Sequence, residues 1–295
     1  MTAERLAGTH GIVTGASGFV GRHVLSTLPA GCRVTALYRQ DTSFPAWASS
    51  LAADVTPLQL DLSQAALAEH VPGADWLLHL AATTPSAGAA DFGSLITACA
   101  RNAVMGVDVP RIVDVSSGSV YSGLTGALGP HATLAPTGEY GRAKLAAERA
   151  ISEAAACEVT HARLFNPFGP GERPARLLPS LIAQALAHDA TVRLTMPPEH
   201  RLQPLWIGDA ASALTALVAM DHTGPIDICG PESLTVTELV HTIFRQLSPD
   251  CEPQVVLEDY GVSDWIFGVA SATEMDRLVG SNALGLAAAI ERATT

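Results

Sequence analysis

The sequence predicts an α/β fold built on a doubly wound parallel sheet, followed by a smaller and less regular C-terminal lobe. Short apolar runs rich in β-branched residues alternate with longer Ala-rich stretches of helical spacing. The first of these runs passes directly into a glycine-rich turn and then an apolar helical stretch. The chain has 295 residues, 48% apolar and 16% charged, which suffices for a core and excludes a disordered chain or a coiled coil.

The elements follow in order. Gly11–Thr14, Arg33–Tyr38, Ala74–Leu80, Arg111–Val115 and Val159–Leu164 read as strands, with a third strand before Asp61. Helices are expected after the glycine turn to Leu28, within Asp91–Met105, and over Arg142–Ala156. Past about residue 165 the rhythm breaks at the turn formers Asn166-Pro-Phe-Gly-Pro-Gly171 and Met196-Pro-Pro198. Beyond them, helices near Leu177–Ala187, Asp209–Met220 and Thr235–Leu247 and a strand near Pro225–Cys229 are expected. This division gives a first domain over 1–165 and a lobe over 166–295, with the chain free to cross back.

Charge and cysteine usage narrow the function. Seventeen Lys+Arg against 29 Asp+Glu give a net charge of −12, which repels a nucleic-acid backbone. The five cysteines are scattered and unpaired in spacing, so neither a disulfide framework nor a zinc site is expected, and a reducing cytoplasm fits. No apolar run approaches the roughly 20 residues needed to span a bilayer, and no secretory signal is visible at the start. None of the ten histidines forms a metal-ligand pair, and His79 on an apolar strand reads as a core histidine.

The turn Thr14-Gly15-Ala-Ser-Gly18-Phe-Val-Gly21 stands between a strand and a helix. Its glycines allow a tight turn, backbone approach to a pyrophosphate at a helix N-terminus, and close packing of helix on strand, the features of a Rossmann-type dinucleotide site. The G-x-x-G-x-x-G spacing resembles the extended branch of the short-chain dehydrogenase/reductase superfamily, which holds nucleotide-sugar epimerases, dehydratases and reductases. The resemblance implies that Gly15, Ser17, Gly18, Phe19 and Val20 hold the cofactor, that Asp61 and Leu62 contact adenine, and that Leu80, Ala81 and Ala82 line the dinucleotide. Arg39 lies 18 positions after Gly21, where NAD-using members carry an aspartate. A guanidinium there suits a 2′-phosphate, so NADP(H) is the expected cofactor. The alternative is a solvated Arg39, with Asp41 near the ribose.

Tyr140 and Lys144 lie four residues apart and so project from one helix face. A phenol with an ordinary pKa near 10 needs roughly 4 kcal/mol of preferential phenolate stabilisation to act near neutrality, and a neighbouring ammonium supplies part of it. Ser116-Ser-Gly-Ser-Val-Tyr121 resembles the family's serine-rich strand end, which implies Ser117 as the hydroxyl that hydrogen-bonds the substrate carbonyl. Ser116 and Ser119 are the alternatives, as turn or backbone ligands. Glu139 and His131 lie close in sequence to Tyr140.

On the substrate side, Arg163-Leu-Phe-Asn166-Pro-Phe-Gly-Pro-Gly171 resembles the segment whose asparagine contacts a nucleotide sugar, and the resemblance extends to Thr83 and Ser119 as substrate contacts. Arg201 precedes Asp209 by eight residues, one more than is usual where an arginine holds a nucleotide phosphate and an aspartate caps the next helix. Arg173 and Arg176 are alternatives. The connection from Ala82 to Ser116 is shorter than the branch usually has. Together these imply an NADP(H)-dependent reduction of a ketone on a nucleotide-activated 4-keto-6-deoxy sugar. An epimerase, a reductase of non-sugar ketones or aldehydes, and a non-catalytic NADP-binding sensor are the alternatives. The small residues Ala143, Ala146, Ala147, Ala150 and Ala154 make a second copy of the chain a candidate partner, as a homodimer.

Overall fold

The computed structural model describes residues 3–82, 92–261, 263–280 and 283–294. The chain forms two compact units, each discontinuous in sequence: residues 1–117, 139–163 and 211–226 make the first, and residues 118–138, 164–210 and 227–295 the second.

The first unit carries a seven-stranded sheet. Its strands are β1 (His10–Thr14), β2 (Arg33–Tyr38), β3 (Asp54–Gln59), β4 (Trp76–His79), β5 (Ile112–Ser117), β6 (Val159–Leu164) and β7 (Gly224–Ile228). Their spatial order is β7-β6-β5-β4-β1-β2-β3, the doubly wound arrangement, with β1 paired in parallel to both β2 and β4. All four residues of β4 and all six of β6 are buried, and the polar Thr160, His161 and Arg163 of β6 are each hydrogen-bonded, to the His222 carbonyl, Asp114 and Glu148. The register aligns Thr14 with His79 and His79 with Asp114, so these three side chains share one face of the sheet.

Four helices of this unit matter for the site: α1 (Phe19–Thr27), α2 (Phe44–Ala48), α3 (Phe92–Val104) and α4 (Glu139–Ala154). Helices α3 and α4 pack together through Ile96, Ala100, Ala103, Ala143, Ala147 and Ile151. Ala143 and Ala147, at 4% and 1% exposure, are thus spent on the chain's own core. Ala146 remains exposed and Ala150 half-buried.

The second unit is built from short pieces. Thr125–Leu128 pairs in parallel with Phe267–Ala270, and Thr191–Leu194 with Gln254–Leu257. Arg201–Leu202 runs antiparallel to Leu234–Thr235. Its core joins Leu181 and Ala185 of the helix Leu177–Leu186 to Leu239, Val240, Ile243 and Phe244 of the helix Val236–Leu247. The second of these helices starts at a capping box: Thr235 Oγ1 accepts from the Glu238 amide at 3.2 Å, and Glu238 Oε2 accepts from the Thr235 amide at 2.7 Å.

Candidate functional site

The glycine turn follows from steric need. Gly15 has φ +65°, and a Cβ there would stand 2.8 Å from Leu80 C and Ala81 N, so only glycine lets the turn pass the end of β4 this closely. At Gly21 a Cβ would lie 2.5 Å from the Gly15 carbonyl oxygen, which seats α1 directly on the turn. Gly18 differs from both: it is exposed, and a Cβ there would meet only the Gly15 oxygen at 3.1 Å. Gly18 is the N-cap of α1 and gives no side-chain cap, so the amides of the first turn face an open cradle. These residues fit a dinucleotide pyrophosphate.

Thr14 closes the cradle from below, because its Oγ1 accepts from the amides of Leu80 and Ala81, each at 3.1 Å. The Ser17 carbonyl accepts from Arg22 Nε at 3.2 Å, Phe19 packs edge-on against His23, and Val20 is half-buried. Ala82 is exposed, while Thr83 lies outside the described residues.

At the end of β2 Arg39 is exposed, and its carbonyl accepts from Gln59 Nε2 at 3.0 Å. Asp61 Oδ1 accepts from the Ser63 hydroxyl at 2.7 Å and the Ser63 amide at 2.9 Å. These bonds, helped by the Arg39 charge, hold its carboxyl below the usual carboxylate range against the opposing effect of burial. Leu62 beside it is buried.

Asp41 is already engaged. Arg22 Nη2 approaches its Oδ2 at 2.6 Å, and Ser43 donates to Oδ1 through both hydroxyl and amide. The Arg22 guanidinium lies over Trp47, 4.5 Å from the ring centroid, and over Phe44 at 5.6 Å. Sequence reasoning did not find Arg22, since its partners lie on different elements.

Helix α4 presents Tyr140, Lys144, Glu148 and Ser152 at successive four-residue steps, a polar stripe half-buried at Tyr140, buried at Lys144 and Glu148, and exposed at Ser152. Tyr140 is half-buried, its ring 6.1 Å from that of Phe92. Lys144 is 3% exposed and donates from Nζ to the Val115 carbonyl at 2.9 Å, two residues before Ser117 on β5. Ser117 ends that strand and is half-buried. Ser116 is buried with its Oγ unpartnered among the described residues, and Ser119 sits in the 3-10 turn Gly118–Tyr121.

Glu148 receives a two-pronged ion pair from Arg163 at 3.1 and 2.9 Å. His79 is buried and bonded through Nδ1 to Thr14 Oγ1 at 2.8 Å. Burial pushes its pKa down to about 4, with Lys144 adding to the effect and Asp114 opposing it. The ring is therefore neutral at physiological pH. A compositional signal for Lys144 was also present, because it is the one lysine among the 17 basic residues of the chain.

In the second unit Asn166 has φ +36°, its Oδ1 accepts from the Gln203 amide, and its carbonyl accepts from Leu205 N, both at 3.1 Å. Arg201 Nη1 lies 3.4 Å from Ser233 O and Oγ and lines a cavity of about 490 Å³ together with Leu128, Phe267, Val269 and Ser271. Asp209 lies within the first turn of the helix Ile207–Val218 and accepts from the Leu284 amide at 2.8 Å, so it ties down a distant segment instead of capping its own helix. Burial pushes Glu172 up to about 7, with Arg176 opposing, and its Oε2 is buried without a partner among the described residues. Arg173 and Arg176 are exposed.

Among the described residues no group of three or more His, Cys, Asp or Glu can hold a metal ion, and no helix is long and apolar enough to cross a membrane. Residues 12–229 match the family model of the NAD dependent epimerase/dehydratase family. The chain belongs to this family. Its fold is that of the extended short-chain dehydrogenases/reductases, enzymes that use a nicotinamide dinucleotide.

Among curated relatives, UDP-glucuronic acid decarboxylases 6 and 5 of Arabidopsis thaliana are 33% and 32% identical over 101 residues, 34% of this chain and 29% of each relative. The chain therefore matches under a third of those proteins. The solved structure of TunA, a NAD dependent NDP-hexosamine 5,6-dehydratase involved in tunicamycin biosynthesis, aligns with TM-score 0.79 at 23% identity, over 97% of this chain and 96% of that one. MoeE5 in complex with UDP-glucose and NAD aligns with TM-score 0.78 at 23% identity, over 96% and 97%. A double mutant of DesIV, a dTDP-glucose 4,6-dehydratase from Streptomyces venezuelae, aligns with TM-score 0.79 at 21% identity, over 96% and 95%. At these identities the likeness is one of fold.

Proposed function

We propose that this family member is an NADP(H)-dependent oxidoreductase that reduces a ketone on a nucleotide-activated 4-keto-6-deoxy sugar. The observation that carries the proposal is the Tyr140/Lys144 pair on α4, with the ammonium seated on the Val115 carbonyl two residues before Ser117. When bound, the dinucleotide supplies a hydride to the carbonyl carbon. Tyr140 gives its phenolic proton to the developing alkoxide, Lys144 stabilises the phenolate and holds the nicotinamide ribose, and Ser117 donates a hydrogen bond to the same oxygen. No carboxylate stands beside Ser117, where the sequence continues Gly118-Ser119, which favours reduction over dehydration.

Gly15, Ser17, Gly18, Phe19 and Val20 hold the pyrophosphate, Asp61 and Leu62 the adenine, and Leu80, Ala81 and Ala82 the nicotinamide half. Arg39 pairs with the 2′-phosphate. Asp41, tied to Arg22 and Ser43, is withdrawn from the ribose hydroxyls, which supports NADP over NAD. Arg201 binds an anionic part of the substrate, with Ser119 and Thr83 as further contacts. Asn166 acts by fixing the Gln203 segment through its side-chain oxygen. A homodimer through α3 and α4 belongs to the same proposal, with exposed Ala146 at a groove of about 670 Å³ that Gly93, Thr97 and Arg142 also line.

A redox-neutral decarboxylation or epimerisation is the second reading, favoured by the segment shared with the plant decarboxylases. The deciding assay follows nicotinamide absorbance while a panel of nucleotide ketosugars is offered with NADPH. One NADPH consumed per sugar supports reduction. A redox-neutral route starts by oxidising the sugar, so the second reading is tested with the oxidised dinucleotide and unoxidised nucleotide sugars, UDP-glucuronic acid among them; turnover there without net change in the dinucleotide establishes it, and no turnover in either arm sinks both.

A further inference from the structure

Beneath the Tyr140/Lys144 pair runs a row of polar side chains that the reduction itself does not use. Thr14 on β1 stands opposite His79 on β4, and His79 opposite Asp114 on β5. From Asp114 the row continues to His161 on β6, whose Nδ1 lies 3.0 Å from Asp114 Oδ2, and to Ser152 on α4, 2.9 Å from His161 Nε2. Everything in it is buried except Ser152.

Hydrogen-bond capacity fixes the protons. Thr14 Oγ1 spends its lone pairs on the Leu80 and Ala81 amides, so its hydrogen goes to His79 Nδ1 and leaves the His79 proton on Nε2. An ionised Asp114 can only accept, so His161 Nδ1 carries the hydrogen between them. One atom is left over. Asp114 Oδ1 is fully buried and has no hydrogen-bond partner among the described residues.

A buried carboxylate oxygen in that state calls for a counter-charge. The titratable groups facing Asp114 are His79 from β4, His161 from β6 and Lys144 from α4. Further along the same stripe, Glu148 and Arg163 neutralise each other in their bidentate pair. His79 is neutral. His161 is the hydrogen-bond partner at Asp114 Oδ2, and the cation facing the carboxylate from α4 is Lys144, whose own hydrogen bond goes to an uncharged carbonyl. Burial alone would drive Asp114 toward the neutral acid, but the His161 bond and the Lys144 charge outweigh it and hold the carboxyl below its ordinary range.

We propose that Asp114 is a positioning residue for Lys144: its carboxylate, held in place by His161, is the counter-charge that keeps the buried ammonium charged and seated on the Val115 carbonyl. This rests on Tyr140 and Lys144 being the reacting pair. It adds a residue that touches neither substrate nor cofactor and acts only through the lysine.

The composition makes the test direct. Because the chain contains a single lysine, growth on isotope-labelled lysine places the side-chain NMR label on Lys144 alone. In Asp114→Asn the label is expected to change from ammonium to amine at a pH about one unit lower than in wild type. Its kcat is expected to fall about tenfold and the dinucleotide KM to stay within about threefold, with partial recovery in Asp114→Glu. A label that titrates identically in both proteins overturns the proposal.

Melting of Asp114→Asn, Lys144→Met and the double variant supplies a second measurement. Opposed charges predict that the double variant melts no lower than Asp114→Asn. Additive losses mean that Asp114 serves only as an acceptor for His161, and the proposal fails. Should Asp114→Asn not fold, a folded double variant supports the charge pairing and an unfolded one refutes it. The label and the melts need no substrate, so their failure counts against Asp114 alone, whereas an active Tyr140→Phe would count against the reaction.

Discussion

Two glycines of one turn are expected to fail in opposite ways when given a methyl group. At Gly15, alanine must adopt φ +65°, which costs about 1–2 kcal/mol for an L-residue. Its Cβ would also press at 2.8 Å on Leu80 C and Ala81 N, backbone atoms that cannot rotate aside. Relief means moving the end of β4 and stretching the two 3.1 Å bonds from Leu80 and Ala81 to Thr14, each worth about 0.5–1.5 kcal/mol. Gly15→Ala should therefore lose roughly 2–4 kcal/mol of stability.

Gly18 has φ −73°, ordinary for any residue, and its Cβ would need to displace the Gly15 oxygen by only a few tenths of an ångström. Gly18→Ala should unfold within about 1 kcal/mol of wild type. Its methyl would nevertheless stand in the cradle at the start of α1 and weaken dinucleotide binding by about tenfold or more, roughly 1.4 kcal/mol. Urea unfolding and calorimetric titration with NADPH separate the two effects. Wild-type NADPH affinity in Gly18→Ala would show that the turn does not carry the pyrophosphate. A wild-type unfolding midpoint in Gly15→Ala would remove the close approach of turn and strand.

Four further outcomes are expected. Arg39→Asp should weaken NADPH binding and leave NADH binding equal or better in equilibrium titration; tighter NADH than NADPH binding in the wild type would overturn the cofactor assignment. Tyr140→Phe should lower kcat by about 100-fold or more with dinucleotide binding retained, and a fully active variant would move the proton donor elsewhere, Glu139 being next in sequence. For Glu172, whose pKa rises from 4.5 to about 7 on burial, the folded state holds the proton more tightly than the unfolded chain. Its contribution to stability is complete below the unfolded value and lost as pH rises through about 7, so Glu172→Gln should melt like wild type near pH 4 and above it near pH 8; a pH-independent difference would contradict this. Light scattering at micromolar concentration should give twice the 30.6 kDa chain mass, and a monomer throughout would confine α3 and α4 to the chain's own core.

Much of the first unit could be read without coordinates. Strands β2 and β6 fall on the predicted residues, Arg33–Tyr38 and Val159–Leu164, because short runs with β-branched residues set between helical stretches mark strands. Helix α4 runs Glu139–Ala154, with Tyr140 in its first turn and Lys144 one turn on, as their four-residue spacing requires. The second unit was legible only in its helices. Pairs such as Thr125–Leu128 with Phe267–Ala270 are four residues long and far apart in sequence, too short for a period of two to register.

Sequence by itself determined the doubly wound sheet, the glycine turn and the Tyr140/Lys144 spacing, since each depends on local periodicity, on steric room at single residues or on a fixed step along one helix. It did not determine who answers the buried charges. That Arg22 holds Asp41, that Arg163 neutralises Glu148, and that Asp114 meets His161 from a strand 47 residues away were decided by the tertiary structure. A buried ion is tolerable only beside its partner, and which partner stands there is set by strand order and register, which no local pattern encodes.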